Sequence, residues 1–138
     1  PKTSSAASDV YKRQVGTAVL DVIEEENLQE HAQETGNWLK SELNGLKKDF
    51  PLIGDVRGEG FFLGVELVQD PLTREPAPLQ AGYIVERMKS KRILLSTEGP
   101  GHNVLKFKPP MVFGRKEGLN FLENLESVLR ETPLQQKR

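Results

Sequence analysis

The stretch that most constrains how this chain folds is residues 93–110, Ile-Leu-Leu-Ser-Thr-Glu-Gly-Pro-Gly-His-Asn-Val-Leu-Lys-Phe-Lys-Pro-Pro. It reads as two short strands, 93–96 and 103–107, joined by a loop in which Gly99 and Gly101 can bring backbone amides close to a ligand. Val104, Leu105 and Phe107 supply apolar surface to the second strand, and Lys106 and Lys108 punctuate it. Pro109-Pro110 cannot donate ladder hydrogen bonds, so the strand must stop there. A cation on a strand that ends beside a glycine loop suits anion binding, and it equally suits an edge strand kept soluble by charge. At this point the residues leave both readings open.

The rest of the chain supplies partners for that hairpin. Residues 1–14 are small and polar without an apolar period and are expected to be an unstructured, non-native leader. Val15, Ala18, Val19, Val22 and Ile23 then recur at helical spacing, and three glutamates at 24–26 predict that this short helix stops, because acidic side chains oppose the dipole of a helix C-terminus. Asn27 reads as the cap of a second helix over 28–48, with Glu30 three residues on and Leu28, Ala32, Thr35, Leu39, Leu43 and Leu46 on one face. Trp38 on the border of that face reads as packing, and His31 as a solvated or capping-region histidine.

Phe50-Pro51 ends the helix, and strands are predicted at 52–57 and 60–68, broken at Gly58-Glu59-Gly60. Arg57 reads as an exposed strand-end cation. A Pro-rich connection over 70–78 leads to a helix that starts at Pro78, turns Ala81, Ile84, Val85 and Met88 inward and runs out in Lys89-Ser90-Lys91-Arg92. After the 93–110 stretch, a last helix carries Leu119, Leu122, Leu125, Val128 and Leu129, with Gly114 where a Ser or Thr cap is usual and Thr132-Pro133 as its end. Residues 133–138 are expected to fray. The order helix, helix, strand, strand, helix, strand, strand, helix predicts an α+β fold: a small, largely antiparallel sheet of three or four strands covered by helices on one face.

Composition narrows the function. At 138 residues the chain fits one domain, and its net charge of −1 recruits neither nucleic acid nor an acidic membrane surface. No cysteine is present, which removes thiol nucleophiles and Cys-based metal sites and fits an intracellular protein. His31 and His102 lack partners at ligand-like spacing. Gly58-Glu59-Gly60 is followed by Phe61-Phe62-Leu63-Gly64, one residue too long for a dinucleotide fingerprint and opening a strand where a helix is needed.

Three separated blocks then carry a resemblance: residues 15–25, Val-Gly-Thr-Ala-Val-Leu-Asp-Val-Ile-Glu-Glu; Gly54-Asp55-Val56-Arg57-Gly58-Glu59-Gly60 with Leu63-Gly64-Val65-Glu66-Leu67; and residues 104–110. In that order they resemble the C-terminal small domain of class III aminotransferase-like enzymes, the fold type I enzymes dependent on pyridoxal 5'-phosphate, over about residues 15–132. The 94–111 stretch is most similar to the phospholyase branch, first those acting on 5-phosphohydroxy-lysine and next those acting on ethanolamine phosphate. The resemblance implies that a phosphorylated amine loses inorganic phosphate and then, on hydrolysis, gives an aldehyde and ammonia.

It further implies that Lys106 stands where related aminotransferases often place an arginine that grips a substrate carboxylate. A compact ammonium suits phosphate as a point charge, so Lys106 becomes the substrate-phosphate ligand, with Gly99, Gly101 and Asn103 as lesser contributors to the same site and Lys108 left to the surface. The Schiff-base lysine, the aspartate at the pyridine nitrogen and most of the phosphate cup belong, by the same resemblance, to a preceding large domain. No catalytic and no cofactor-binding residue is therefore carried onto this chain, and by itself it is expected to be inactive. The implied partners are that large domain, a second subunit of a homo-oligomer and a small phosphorylated amine. Mitochondrial residence is implied, with the cytoplasm as the alternative. A transaminase of the same class and a free-standing interaction module are the competing readings.

Overall fold

Paired apolar strands and amphipathic helices bury their apolar sides by stacking into layers. In the computed structural model, which describes residues 14–109 and 113–134, they do so on one face of a single sheet. The elements are α1 (Gln14–Leu46), β1 (Ile53–Glu59), β2 (Phe62–Leu67), α2 (Pro78–Ser90), β3 (Ser96–Glu98), β4 (Val104–Phe107) and α3 (Arg115–Leu129), followed by one 3-10 turn at Thr132–Leu134. All strand pairs are antiparallel in the order β1-β2-β4-β3. The α+β architecture expected from the sequence is the one formed.

Successive strand residues point to opposite faces, and this period of two sorts the side chains. Val56 of β1, Leu63, Val65 and Leu67 of β2, and Leu105 and Phe107 of β4 meet Leu39 and Leu43 of α1, Ala81, Ile84 and Met88 of α2, and Phe121, Leu125 and Val128 of α3. Asp55, Arg57, Phe62, Gly64, Glu66, Val104 and Lys106 lie on the other face. All three helices pack into the core cluster on the first face, and the second face stays open.

Several sequence expectations are corrected. The two N-terminal helices are one continuous α1 of 33 residues. Residues 17–35 contain neither Gly nor Pro, Glu is a good helix former, and within an unbroken helix residues 24–26 face no terminus to oppose, so Asn27 is interior and caps nothing. Leu28 is 38% exposed and outside the core, and the buried stripe runs through Ala32, Thr35, Gly36, Leu39 and Leu43. His31 is partly buried: its Nε2 donates to the Phe113 carbonyl at 2.6 Å, and its ring meets Phe61 edge-on.

Strand β3 begins at Ser96, three residues later than expected, because the C-terminus of α2 takes the Ile93 amide for the Met88 carbonyl at 2.9 Å after Arg92 turns to φ +67. On α3 the inward residues are Gly118, Phe121, Leu125, Val128 and Leu129, and Leu119 is half exposed. The missing cap at Gly114 is half replaced, since its amide donates to Glu117 Oε1 at 2.9 Å. Pro133 and Leu134 belong to the 3-10 turn, with Leu134 buried; the expected leader at 1–13 and the tail beyond 134 lie outside the described residues.

Helices α2 and α3 are tied by one polar clamp. Arg87 of α2 grips Glu131 through two 2.8 Å hydrogen bonds, and the Tyr83 hydroxyl donates to the same carboxylate. Hydrogen bonds from Arg87 first, then Tyr83, lower the Glu131 pKa from 4.5 to about 2. A folded-state value below the unfolded one stabilises above the unfolded value, and that stability is lost as pH falls through the folded value. Thermal melts should therefore lose stability between about pH 4.5 and 2, and a Glu131→Gln variant should show a flatter pH dependence across that window.

Candidate functional site

The open face of the sheet carries the chemistry-bearing side chains, and the register arranges them in rows. One row runs Arg57, Gly64, Lys106, Ser96 across β1, β2, β4 and β3; the next runs Asp55, Glu66, Val104, Glu98. Arg57 Nη1 donates to Asp55 Oδ2 at 3.0 Å and to Glu66 Oε1 at 3.1 Å. Glu66 is also held at 3.3 Å by Arg74, which the tight 69–76 excursion presents at φ +59. Asp55, Glu66, Arg57 and Arg74 thus satisfy one another, and as partly exposed pairs they contribute little stability, about 0–1 kcal/mol each.

Lys106 differs from these groups. It is half buried in the middle of the face and makes no ion pair with any described residue. Its chain lies across β2: Nζ is 3.6 Å and Cδ 3.8 Å from where a Cβ on Gly64 would stand. A cation without an ion pair, on a sheet face that none of the described helices covers, is ready for an external anion. Lys108 follows β4 and is exposed, at the rim of a groove of about 400 Å³ floored by Phe107, Phe113 and Phe121.

Gly99, Gly101 and Asn103 are not gathered around Lys106. They sit at the far end of the β3–β4 hairpin, where the 99–102 turn closes with a 3.1 Å hydrogen bond from the His102 amide to the Gly99 carbonyl. Asn103 is buried, and its Nδ2 donates to the Leu67 carbonyl at 2.7 Å while its own carbonyl accepts from the Leu67 amide at 2.8 Å. Both hydrogen-bonding contacts tie β4 to the end of β2. Gly101 packs so closely that a Cβ there would lie 2.9 Å from Pro76.

Sequence reading passed over Glu66 and Arg74 as members of the charged face. The alternation in Gly64-Val65-Glu66-Leu67 marks Glu66 as outward, but its two arginine partners follow only from strand register and the 69–76 turn. Trp38 is packing, as expected, with the Arg115 guanidinium 4.7 Å above its ring.

The model of the family described as aminotransferase class-III matches residues 6–129. The chain belongs to the class III aminotransferase family. It is 48% identical over 122 residues to an alanine--glyoxylate aminotransferase 2-like protein of Drosophila melanogaster, covering 85% of this chain and 25% of that one. To the ethanolamine-phosphate phospho-lyase homolog 1 of Caenorhabditis elegans it is 42% identical over 113 residues, covering 81% and 24%. A solved phospholyase from Arthrobacter in complex with phosphoethanolamine superposes with a TM-score of 0.76 at 35% identity, over 86% of this chain and 28% of that chain. The class III chain thus spans about a quarter of the length of the curated relatives it matches.

The described residues do not fit the family's cofactor. Anchoring pyridoxal phosphate as a Schiff base calls for a shielded lysine, and its ring nitrogen for a shielded carboxylate. The only buried polar side chains among the described residues are Thr35 and Asn103. Among residues 27–109 and 113–134 every lysine, aspartate and glutamate reaches solvent, so none of these is a shielded cofactor anchor.

Proposed function

We propose that this chain is the C-terminal small domain of a longer pyridoxal phosphate-dependent phospholyase, with Lys106 holding the substrate's phosphate. The domain extends over residues 15–132. The proposed reaction takes a phosphorylated amine or amino acid of the 5-phosphohydroxy-lysine kind, consumes one water and releases an aldehyde, ammonia and inorganic phosphate. The cofactor sits in the preceding large domain, outside this chain. The observation that carries the reading is Lys106, an ammonium without a described anionic partner in the centre of the open face. The likeness to a phospholyase solved with phosphoethanolamine supports it.

What the chain contributes follows from charge and shape. Lys106 binds and orients an anion, while Asp55, Glu66, Arg57 and Arg74 are mutually neutralised and leave it the available cation. In the longer enzyme, Lys106→Ala is expected to raise KM for the phosphorylated amine about 10- to 100-fold, the worth of one charge-assisted hydrogen bond of about 1.5–3 kcal/mol. An unaltered KM would remove Lys106 from the site. Ethanolamine phosphate is the second candidate substrate. The Drosophila relative's name favours transamination as a second reading, and phosphate release measured against keto-acid-dependent amine transfer separates the two reactions.

The open face is proposed to meet the large domain, and a second subunit to complete a homo-oligomer. Among the described residues no helix is long and apolar enough to cross a membrane. Intracellular, mitochondrial residence is proposed on the resemblance.

A further inference from the structure

We infer that Gly64 is a positioning residue that fixes where the Lys106 ammonium sits and so where the substrate's phosphate is held. The inference rests on the phosphate-binding role proposed for Lys106. Gly64 and Lys106 are direct cross-strand partners on the two inner strands. Side chains so paired ordinarily stand side by side, with Cβ atoms about 4.5–5.5 Å apart. Here one partner has no side chain, and Lys106 lies down into the space. The ammonium is thereby drawn from β4 over β2, towards Arg57, which faces Gly64 from β1.

Lys106 and Val104 between them fill that space. A Cβ on Gly64 would also stand 3.2 Å from Cγ1 of Val104, which lies two residues before Lys106 on the same face of β4, so a larger side chain could not turn that way without moving Val104. Further atoms would have to share the volume that Lys106 Cδ and Nζ occupy, lifting the ammonium off the sheet. Gly64 has no positive φ and makes no turn, so backbone conformation does not demand glycine there. The demand comes from the lysine lying across it.

The test is a double-mutant cycle in the longer enzyme. Gly64→Val is expected to raise KM for the phosphorylated amine about tenfold, the range of a lost charge-assisted contact, while kcat changes little. Added to Lys106→Ala, the same substitution should raise KM by about twofold at most, because residues acting through one contact are not additive. Inhibition by inorganic phosphate should weaken in parallel, which a general loss of stability would not single out. If Gly64→Val does not fold, Gly64→Ser, with one atom beyond Cβ, should give a smaller rise of the same kind. A normal KM in the substituted enzymes, or full multiplication of the two effects, overturns the inference while Lys106→Ala still weakens binding. No effect of Lys106→Ala on KM overturns the phosphate role of Lys106 and this inference with it.

Discussion

Replacing Gly36 by alanine is expected to destabilise the fold by about 3 kcal/mol, at the top of the usual range for over-packing. Gly36 lies on the buried side of α1, where the helix crosses the tip of the β1–β2 hairpin. A Cβ there would stand 1.9 Å from the Gly60 carbonyl oxygen and 2.4 Å from its carbon, distances no pair of atoms tolerates. The obstacle is backbone, so no side-chain rotation relieves it. The hairpin cannot retreat cheaply either, since Gly60 holds φ +57 and Phe61 beside it packs on His31 and Phe113. Alanine ordinarily favours a helix interior over glycine by about 1 kcal/mol, so a denaturant melt in which Gly36→Ala is stabilising would show that helix and hairpin do not touch here.

The second large effect is expected at Leu67. It is fully buried on β2 and faces α2, while its backbone pairs with Asn103 on one side and with Ile53 on the other. Leu67→Ala removes apolar contacts and leaves a cavity that three attached segments cannot collapse to fill, at a cost of about 2–5 kcal/mol. The midpoint of denaturant unfolding should drop with an unchanged slope. A loss below about 1 kcal/mol would mean that the centre of the sheet repacks freely.

How much of this was legible beforehand depends on how local the deciding force is. The antiparallel sheet was legible because an apolar run at 60–68, alternation at 103–107 and the short connections within each strand pair are local information. The break in α1 was misread because a capping pattern at Asn27 and Glu30 is only a preference, and no residue there actually prevents a helix from continuing. The start of β3 was misplaced because the Ile93 amide had a competing partner in the preceding helix. Lys106 could be singled out from the sequence, but its lack of an ion pair with any described residue could not. That depends on Arg57 and Arg74 converging on Glu66, an outcome of register and of one left-handed turn. Asn103 shows the converse: a polar residue next to a glycine loop reads as a ligand, and burial against Leu67 accounts for it as structure.

The strand order β1-β2-β4-β3 has a consequence for how the chain folds. The β1–β2 hairpin closes over two residues, whereas the central seam between β2 and β4 joins Leu67 to Asn103 across 36 residues that include all of α2 and β3. Closing that loop costs about 3 kcal/mol of chain entropy before any contact rewards it. The hairpin can therefore form first and the seam last. Substitutions at Val56 should slow folding, whereas those at Leu105 should mainly speed unfolding, and chevron kinetics of the two variants would show the reverse pattern if the seam came first. On this order the strand that carries Lys106 is set in place last, so the open face of the sheet is completed only at the close of folding.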